Sequence, residues 1–400
     1  MIKLILLLIL SSAFNKSIIS QINEIKRNSK AKNLIRETVE RYGYLFEEYQ
    51  LTTKDGYINT IYRIPGKKGA TPFLKKPVMM VHGILDTPHI FLHLNESSLP
   101  FLLVNEGRDV WLPNTRGNYI SHGHVEYDYK ETKGKYWDYT MDDLLDYDIP
   151  ETIEFIKEKT GYSKIDYIGH SQGATLMLLS FVRDPSYIRS SIDKFVGLAT
   201  VSSLNKTKNP LFKILAKFQE FLRDVIPLKR VLFLNDWIHE RMVDFARNHP
   251  ETMNAIMEFG AGLQRSYLSN HGDFPEWFYV YPGGGSKNNL LQWLQSYNQK
   301  QWKKFDYGKE INLMKYGSEV PPEYNENNFK NWDIPSLLTV SKNDAFISYD
   351  DLMDFYNRVD NKDYITLVDA EMYNHIDICS SPSLLKGIIP KIVNFIENKK

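Results

Sequence analysis

Gly169-His170-Ser171-Gln172-Gly173 lies between the apolar run Ile165 to Ile168 and a second apolar stretch, Ala174 to Val182. A glycine, any residue, a serine, any residue and a glycine, set between a strand-like run and a helix-like run, predict a sharp strand–turn–helix elbow. Strand and helix approach closely at such a turn, and the central backbone is strained. A side chain at either flanking position would collide with the neighbouring element. The turn pushes the serine hydroxyl outward, where a base and a substrate can both reach it. Few folds hold a strand, a tight turn and a helix in this arrangement, so the pentapeptide constrains the whole chain.

The surroundings extend the pattern. Phe46 to Leu51 and Tyr57 to Ile64 read as two strands around Lys54-Asp55-Gly56, a hairpin signal. Val78 to Val81 is a short β-rich run ending in His82-Gly83. A helical stretch near Leu99 to Asn105 precedes a strand at Asp109 to Leu112. Trp137 to Lys159 has helical spacing, and Phe195 to Val201 reads as a buried strand. The rhythm changes between 203 and 332, where an inserted helical region is expected. There Leu211, Ile214, Leu215, Phe218, Phe221 and Leu222 follow amphipathic-helix spacing, with Lys213, Lys217 and Arg223 opposite. Alternation resumes with strands at Ser336 to Val340 and Tyr364 to Val368 and a final helix around Leu384 to Asn398. Alternating strands and helices predict an α/β fold, a mostly parallel eight-stranded sheet flanked by helices. With the elbow, this is the α/β-hydrolase arrangement.

The chain has 400 residues, enough for one elaborated domain. Lys plus Arg and Asp plus Glu both number 49, and no basic stripe points to nucleic acid. Lys3, the apolar Leu4 to Leu10 and Ser11-Ser12-Ala13 read as a secretory signal over residues 1–20, cleaved between about 13 and 20. No later segment is long and apolar enough to be a transmembrane anchor. The sequons at Asn95 and Asn205 agree with a secretory route and are the glycosylation candidates. Cys379 is the only cysteine, so no intrachain disulfide forms. The expected organisation is a core at 21–202 and 333–400, interrupted by the insertion at 203–332.

An activated serine needs a base, and the base needs an orienting acid. In this fold the acid and then the base follow the serine in the chain. Only one histidine follows His271, namely His375, in the polar loop Glu371 to Asp377. Asp344 lies in the loop after the preceding strand and is the expected acid. Asp350, Asp351 and Asp369 are its rivals. The backbone N–H of Gln172, at a helix N-terminus, and that of Ile84, in the loop after Val81, are the expected oxyanion donors, with Leu85 as the fallback. His82 and His170 read as structural. His122 and His124 lack an identifiable third ligand, so no metal is expected, and no cofactor is implied. Gly283-Gly284-Gly285 reads as a flexible loop rather than a phosphate cradle.

From about Tyr42 to the C-terminus the chain resembles the acid lipase family, which includes gastric and lysosomal acid lipases. The likeness rests on collinear blocks. Gly43-Tyr44 with Glu48-Tyr49 comes first, followed by Asp55-Gly56-Tyr57 and Arg63-Ile64-Pro65, then His82-Gly83 and Asn95-Glu96-Ser97-Ser98-Leu99. Asp109-Val110-Trp111-Leu112, Asn114-Thr115-Arg116-Gly117-Asn118, Tyr147-Asp148-Ile149-Pro150 and the elbow follow. Trp293, Phe305-Asp306-Tyr307-Gly308, Pro321-Pro322-Glu323-Tyr324, Asp344 and His375-Ile376-Asp377 close the set. The resemblance implies Ser171 as nucleophile, Asp344 as acid and His375 as base, with Gln172 and Ile84 at the oxyanion hole. It implies a cap and lid at about 203–332, lipid esters such as triacylglycerols or cholesteryl esters as substrates, and contact with a lipid–water interface through the cap. A secreted or lysosomal location goes with it. A soluble-ester esterase, an acyltransferase or a non-catalytic lipid-binding relative are the alternatives. The chain departs from the family in lacking a cysteine pair in the cap and in carrying Ile84-Leu85 where a leucine pair is usual.

Overall fold

The structure, a computed structural model, describes residues 33–70, 75–207, 209–234, 236–261 and 274–399. The expected signal segment at 1–20 lies outside them. Eleven strands are described: β1 (Glu47–Thr52), β2 (Tyr57–Ile64), β3 (Val78–Val81), β4 (Val110–Pro113), β5 (Gly123–His124), β6 (Ile165–His170), β7 (Ile192–Leu198), β8 (Arg230–Val231), β9 (Gly285–Ser286), β10 (Ser336–Val340) and β11 (Ile365–Asp369). The main sheet runs β1–β2–β4–β3–β6–β7–β10–β11, with β5 paired to β2. β1, β2 and β4 pair antiparallel, and every later neighbour along that path is parallel.

The expected hairpin forms β1 and β2, with Glu47 opposite Arg63 and Thr52 opposite Ile58. Its turn needs Gly56, whose φ is +94°. The central strands β3, β6 and β10 are buried along their full length. That is the signature of a parallel sheet covered on both faces. Helices Ile149–Thr160, Gln172–Arg183 and Ile388–Glu397 supply part of the cover, each burying an apolar stripe. The chain leaves β3 toward β4 and leaves β6 toward β7, so the strand order reverses between them. In open α/β sheets, ligands sit at the carboxyl ends of strands beside such a switch point. That is where the serine elbow lies.

Between β7 and β10 the chain leaves the sheet. It forms helices Pro210–Lys217, Gln219–Asp224, Asp236–Asn248, Pro250–Ala261, Lys287–Gln299 and Lys309–Tyr316, plus the ribbon of β8 and β9. Buried polar bonds tie this stretch to the sheet. Gln292 Nε2 donates to Asp142 Oδ1 at 2.9 Å, Phe305 N to Asp142 Oδ2 at 2.9 Å, and Trp302 Nε1 to Ser202 O at 2.8 Å.

Three local expectations shift. The strand expected at Phe195 to Val201 runs from Ile192 to Leu198, because Ala199 turns to φ +47° and leaves the ladder. The helix expected from Trp137 to Lys159 is broken. Thr140 and Asp143 form a capping box, a π-helical turn follows at Leu144–Asp148, and Pro150 starts the regular helix. The amphipathic stretch at 211–222 is two short helices interrupted at Phe218.

Candidate active site

Ser171 sits at the end of β6 with φ 52° and ψ −117°, immediately before helix Gln172–Arg183. That strained conformation is held by close packing on both sides. A Cβ at Gly169 would come within 2.4 Å of Ala174 N, and one at Gly173 within 2.2 Å of Val81 O. Both obstacles are backbone, so neither can move aside. Tyr167 donates its hydroxyl to Gly173 O at 2.7 Å, and Ser171 N donates to Leu198 O at 2.9 Å. The loop after β3 also passes close, since a Cβ at Gly83 would lie 3.2 Å from Ser171 Cβ.

The structure brings Ser171, His375 and Asp344 together. His375 Nε2 lies 2.8 Å from Ser171 Oγ, and His375 Nδ1 lies 2.9 Å from Asp344 Oδ2. An ionised carboxylate only accepts, so Nδ1 carries the proton facing Asp344 and Nε2 is left to accept from the serine hydroxyl. Asp344 Oδ1 also accepts from Phe346 N at 2.8 Å and Ile347 N at 2.9 Å, which fixes the carboxylate plane. Asn374 couples the two loops, because its Oδ1 accepts both Ala345 N and His375 N at 2.8 Å. Ser341 Oγ donates to Tyr373 O at 2.7 Å and braces the same pair of loops. Ser171 is only 6% exposed and His375 8%.

Two more histidines support the site without joining that chain. His170 Nε2 donates to His375 O at 3.1 Å. Burial pushes its pKa down to about 3, so the ring stays neutral. His82 Nδ1 donates to Gly83 O at 2.8 Å and its Nε2 accepts from Thr115 N at 3.2 Å. Burial lowers its pKa to about 4. Both therefore position loops around Ser171.

Gln172 is the first residue of its helix, where the N–H has no intrahelical partner and the dipole favours negative charge. Among the described residues, neither Gln172 N nor Ile84 N donates a hydrogen bond. Leu85 takes φ +58°, which turns the loop, and its carbonyl accepts Gly283 N at 2.6 Å. Gly283 O in turn accepts Tyr119 N at 2.6 Å. The triple glycine expected to be flexible is thus a buried, close-packed segment. A Cβ at Gly283 would meet Asp86 O at 2.8 Å, and one at Gly284 would meet Phe233 Cα at 2.7 Å. Trp293 Nε1 donates to Gln172 Oε1 at 2.9 Å. Gly283, Trp293 and Asn374 are positioning residues that motif reasoning missed. Only the glycine run and the position of Trp293 in a shared block were visible beforehand.

The remaining candidates are placed elsewhere. Asp351 accepts from Ser203 Oγ at 2.8 Å and Lys206 N at 3.0 Å, while Asp350 and Asp369 are exposed. His122 Nδ1 donates to Tyr119 O at 2.9 Å, and His124 Nδ1 accepts from Glu126 N at 2.9 Å. Among the described residues no group of three or more His, Cys, Asp or Glu side chains could hold a metal. Cys379 is buried, and burial pushes its thiol pKa well up. Asn95 and Asn205 are half-buried.

Comparisons with known proteins give the family. Residues 76–377 match the family described as alpha/beta hydrolase fold, and residues 35–94 match the partial alpha/beta-hydrolase lipase region. The chain is 30% identical to the gastric triacylglycerol lipase of Bos taurus, over 95% of each chain. It is 31% identical to lipase member K of Homo sapiens, over 88% of this chain and 87% of the relative. It is 30% identical to the lysosomal acid lipase/cholesteryl ester hydrolase of Macaca fascicularis, over 73% of each. In fold it is similar to a putative lipase from Sulfolobus solfataricus, with a TM-score of 0.58 at 11% identity, covering 90% of this chain and 95% of that one. Among the described residues no helix is long and apolar enough to cross a membrane. With the family model spanning most of the sheet and relatives aligned over nearly the whole length, the chain belongs to the α/β-hydrolase fold family, among the gastric and lysosomal acid lipases.

Proposed function

We propose that this protein hydrolyses lipid esters through an acyl-enzyme formed on Ser171. The observation that carries the reading is the unbroken hydrogen-bonded chain from Asp344 through His375 to Ser171. Ser171 Oγ attacks the ester carbonyl while His375 Nε2 takes its proton. The tetrahedral oxyanion is received by the N–H groups of Gln172 and Ile84. His375 then returns the proton to the leaving alcohol. Water, deprotonated by the same imidazole, releases the fatty acid and regenerates the serine. Asp344 keeps the imidazole in the correct tautomer and stabilises its positive charge.

Triacylglycerols and cholesteryl esters, the substrates in the relatives' names, are the substrate classes for this site. Residues 203–332 serve as the cap. Because Ser171 and His375 are nearly covered, the cap shifts to admit an acyl chain. The lysosomal relative's name and the sequons at Asn95 and Asn205 support a secretory route.

The test is a pH-resolved panel of emulsified triacylglycerol, cholesteryl ester and a water-soluble ester, run on wild type beside Ser171→Ala. Turnover is expected to fall by about 10⁴-fold or more in the variant. Ester cleavage by Ser171→Ala at the wild-type rate would falsify the nucleophile assignment. A preference for the soluble ester over both emulsions would replace the lipase reading with that of an esterase.

A further inference from the structure

The loop at 83–87, which carries Ile84, is pinned by backbone bonds on both sides of one buried carboxyl. Gly83 O accepts His82 Nδ1 at 2.8 Å, and Leu85 O accepts Gly283 N at 2.6 Å. Gly283 also packs on Asp86 O, which a Cβ there would meet at 2.8 Å. The Asp86 side chain is buried between these anchors. Its Oδ1 accepts Thr87 N at 2.8 Å; among the described residues it has no other hydrogen bond, and no cation pairs with it. Other buried aspartates are answered from distant segments. Asp109 pairs with Arg63, Asp148 with Arg116 and Asp166 with Arg108, while Asp142 accepts from Gln292 Nε2 and Phe305 N.

Three elements meet at this carboxyl. Two titratable groups face it from outside the loop, Tyr281 of the insertion and Cys379 of helix Asp377–Ser380, which follows His375. Burial raises the pKa of both, so both are neutral at neutral pH and neither offers the positive charge that a carboxylate needs. Tyr281 is held in place by stacking on Trp277, with ring centroids 4.3 Å apart. Helix Asp377–Ser380 packs on the 3₁₀ turn Pro88–Leu92, which continues the loop. That turn's own titratable residue, His89, forms no ion pair with Asp86. A buried carboxylate without counter-charge or a full set of hydrogen bonds is costly. Burial accordingly pushes the pKa of Asp86 up to about 8. A carboxyl perturbed this far, beside a reaction centre, is a functional candidate.

We propose that Asp86 is a positioning residue for this reaction, its carboxyl setting the loop that presents Ile84 N–H to the oxyanion. The proposal rests on the acyl-enzyme reading above and adds the group that controls one of its two donors. While uncharged, the side chain stays packed between the insertion and helix Asp377–Ser380, and the loop keeps Ile84 N–H aimed at the oxyanion. Once ionised, the carboxylate is driven toward water. Asp86 lies two residues from Ile84, so the donor moves with it. Ser171, His375 and Asp344 keep their own bonds. The loss therefore falls on transition-state stabilisation rather than on substrate binding.

The test is kcat and KM of the full chain for a water-soluble ester from about pH 5 to about pH 10, on wild type, Asp86→Asn and Asp86→Ala. Near-ultraviolet circular dichroism at each pH reports whether the fold persists. Asp86→Asn keeps the shape and cannot ionise. It should match wild type within about twofold near pH 6 and stay level above about pH 8, where wild-type kcat falls about tenfold per pH unit. Asp86→Ala removes the acceptor of Thr87 N and should lower kcat about tenfold at every pH, with KM little changed. Parallel alkaline profiles for wild type and Asp86→Asn would overturn the proposal. So would wild-type turnover that falls only where the circular-dichroism signal is also lost, which would make the carboxyl a stability device alone. Absence of Ser171-dependent cleavage in every variant at every pH would instead sink the acyl-enzyme reading on which the proposal stands.

Discussion

Around Ser171, apolar packing lies outside and polar groups answer one another within. Asp344, His375, Asn374, His170 and Ser341 bond in series across three loops, and the strands beneath them are wholly buried. Residues 203–332 invert that plan. Asp142, Gln292, Asn312 and Lys287 anchor the stretch from within, Lys287 Nζ alone donating to Leu222 O, Arg223 O and Ile226 O. Large apolar residues are left outside. The sheet-end site is made rigid for chemistry. The insertion is oriented by a few specific polar bonds, and its outer face remains available.

The largest expected effect tests the rigid half. Asp344→Asn preserves shape but lets the amide donate, which favours the wrong imidazole tautomer. Turnover of a soluble ester should drop by about 10⁴-fold, with the thermal midpoint nearly unchanged. Near-wild-type turnover would show that the carboxylate does not orient His375. Glycines sharpen the contrast between the halves. A Cβ at Gly173 meets Val81 O at 2.2 Å, whereas Gly317, at φ +69°, has nothing within 4 Å. Gly173→Ala should therefore cost about 3 kcal/mol or more by forcing strand and helix apart. Gly317→Ala should cost about 1 kcal/mol, the left-handed backbone penalty alone. Equal losses in denaturant unfolding would erase the distinction.

The same contrast explains what was legible in the sequence. The elbow, the hairpin at Gly56 and the order of Ser171, Asp344 and His375 are local or topological signals. Steric rules at particular residues dictate them. β7 was misplaced because Ala199-Thr200-Val201 continues the apolar run after the strand has ended. At its other end Lys194 enters the strand, since its ammonium finds Phe395 O and Ile396 O at 2.7 Å. The stretch 211–222 showed one helical period, yet its apolar residues divide between two faces that periodicity alone cannot separate. Asn374 gave no signal because its side-chain oxygen accepts from Ala345 N on another loop, and the role of Gly283 within the glycine run was hidden because it consists of backbone bonds to Leu85 and Tyr119. Asn312 gave no signal because its partners, Asp306 and Glu319, are fixed only by the fold.

Asp86 tests whether the oxyanion loop is set by burial. It is 3% exposed, and burial pushes its pKa up to about 8, against a hydrogen bond from Thr87 N that lowers it. The folded form is thus protonated where the unfolded form, near 3.9, is ionised. Between those values the folded state binds more protons, so this group's stabilisation is complete below about pH 4 and is lost as pH rises through about 8. His82 and His170 act in the opposite sense, because their folded pKa values of about 4 and about 3 lie below the ordinary value and cost stability as pH falls under 6.5. Asp86→Asn cannot ionise. It should match wild type at pH 4 and exceed it by about 5 kcal/mol at pH 8. A stability difference that does not change with pH would mean that the carboxyl is solvated or paired in the folded protein.

The smallest effect lies on the seam between the two regions. Trp293 belongs to the insertion, yet its indole donates to Gln172 Oε1, on the residue proposed to offer an N–H to the oxyanion. Trp302, stacked edge-on against it at 5.3 Å, makes a similar bond to Ser202 O, away from the elbow. Removing either donor strands a buried acceptor at a cost of about 1–2 kcal/mol. Trp293→Phe should spend part of that loss on the transition state, lowering kcat about threefold to tenfold with KM little changed. Trp302→Phe should lower stability alone. If both variants lower stability equally and leave kcat untouched, the insertion merely covers the site. If Trp293→Phe alone slows turnover, the cap also helps to shape the oxyanion pocket.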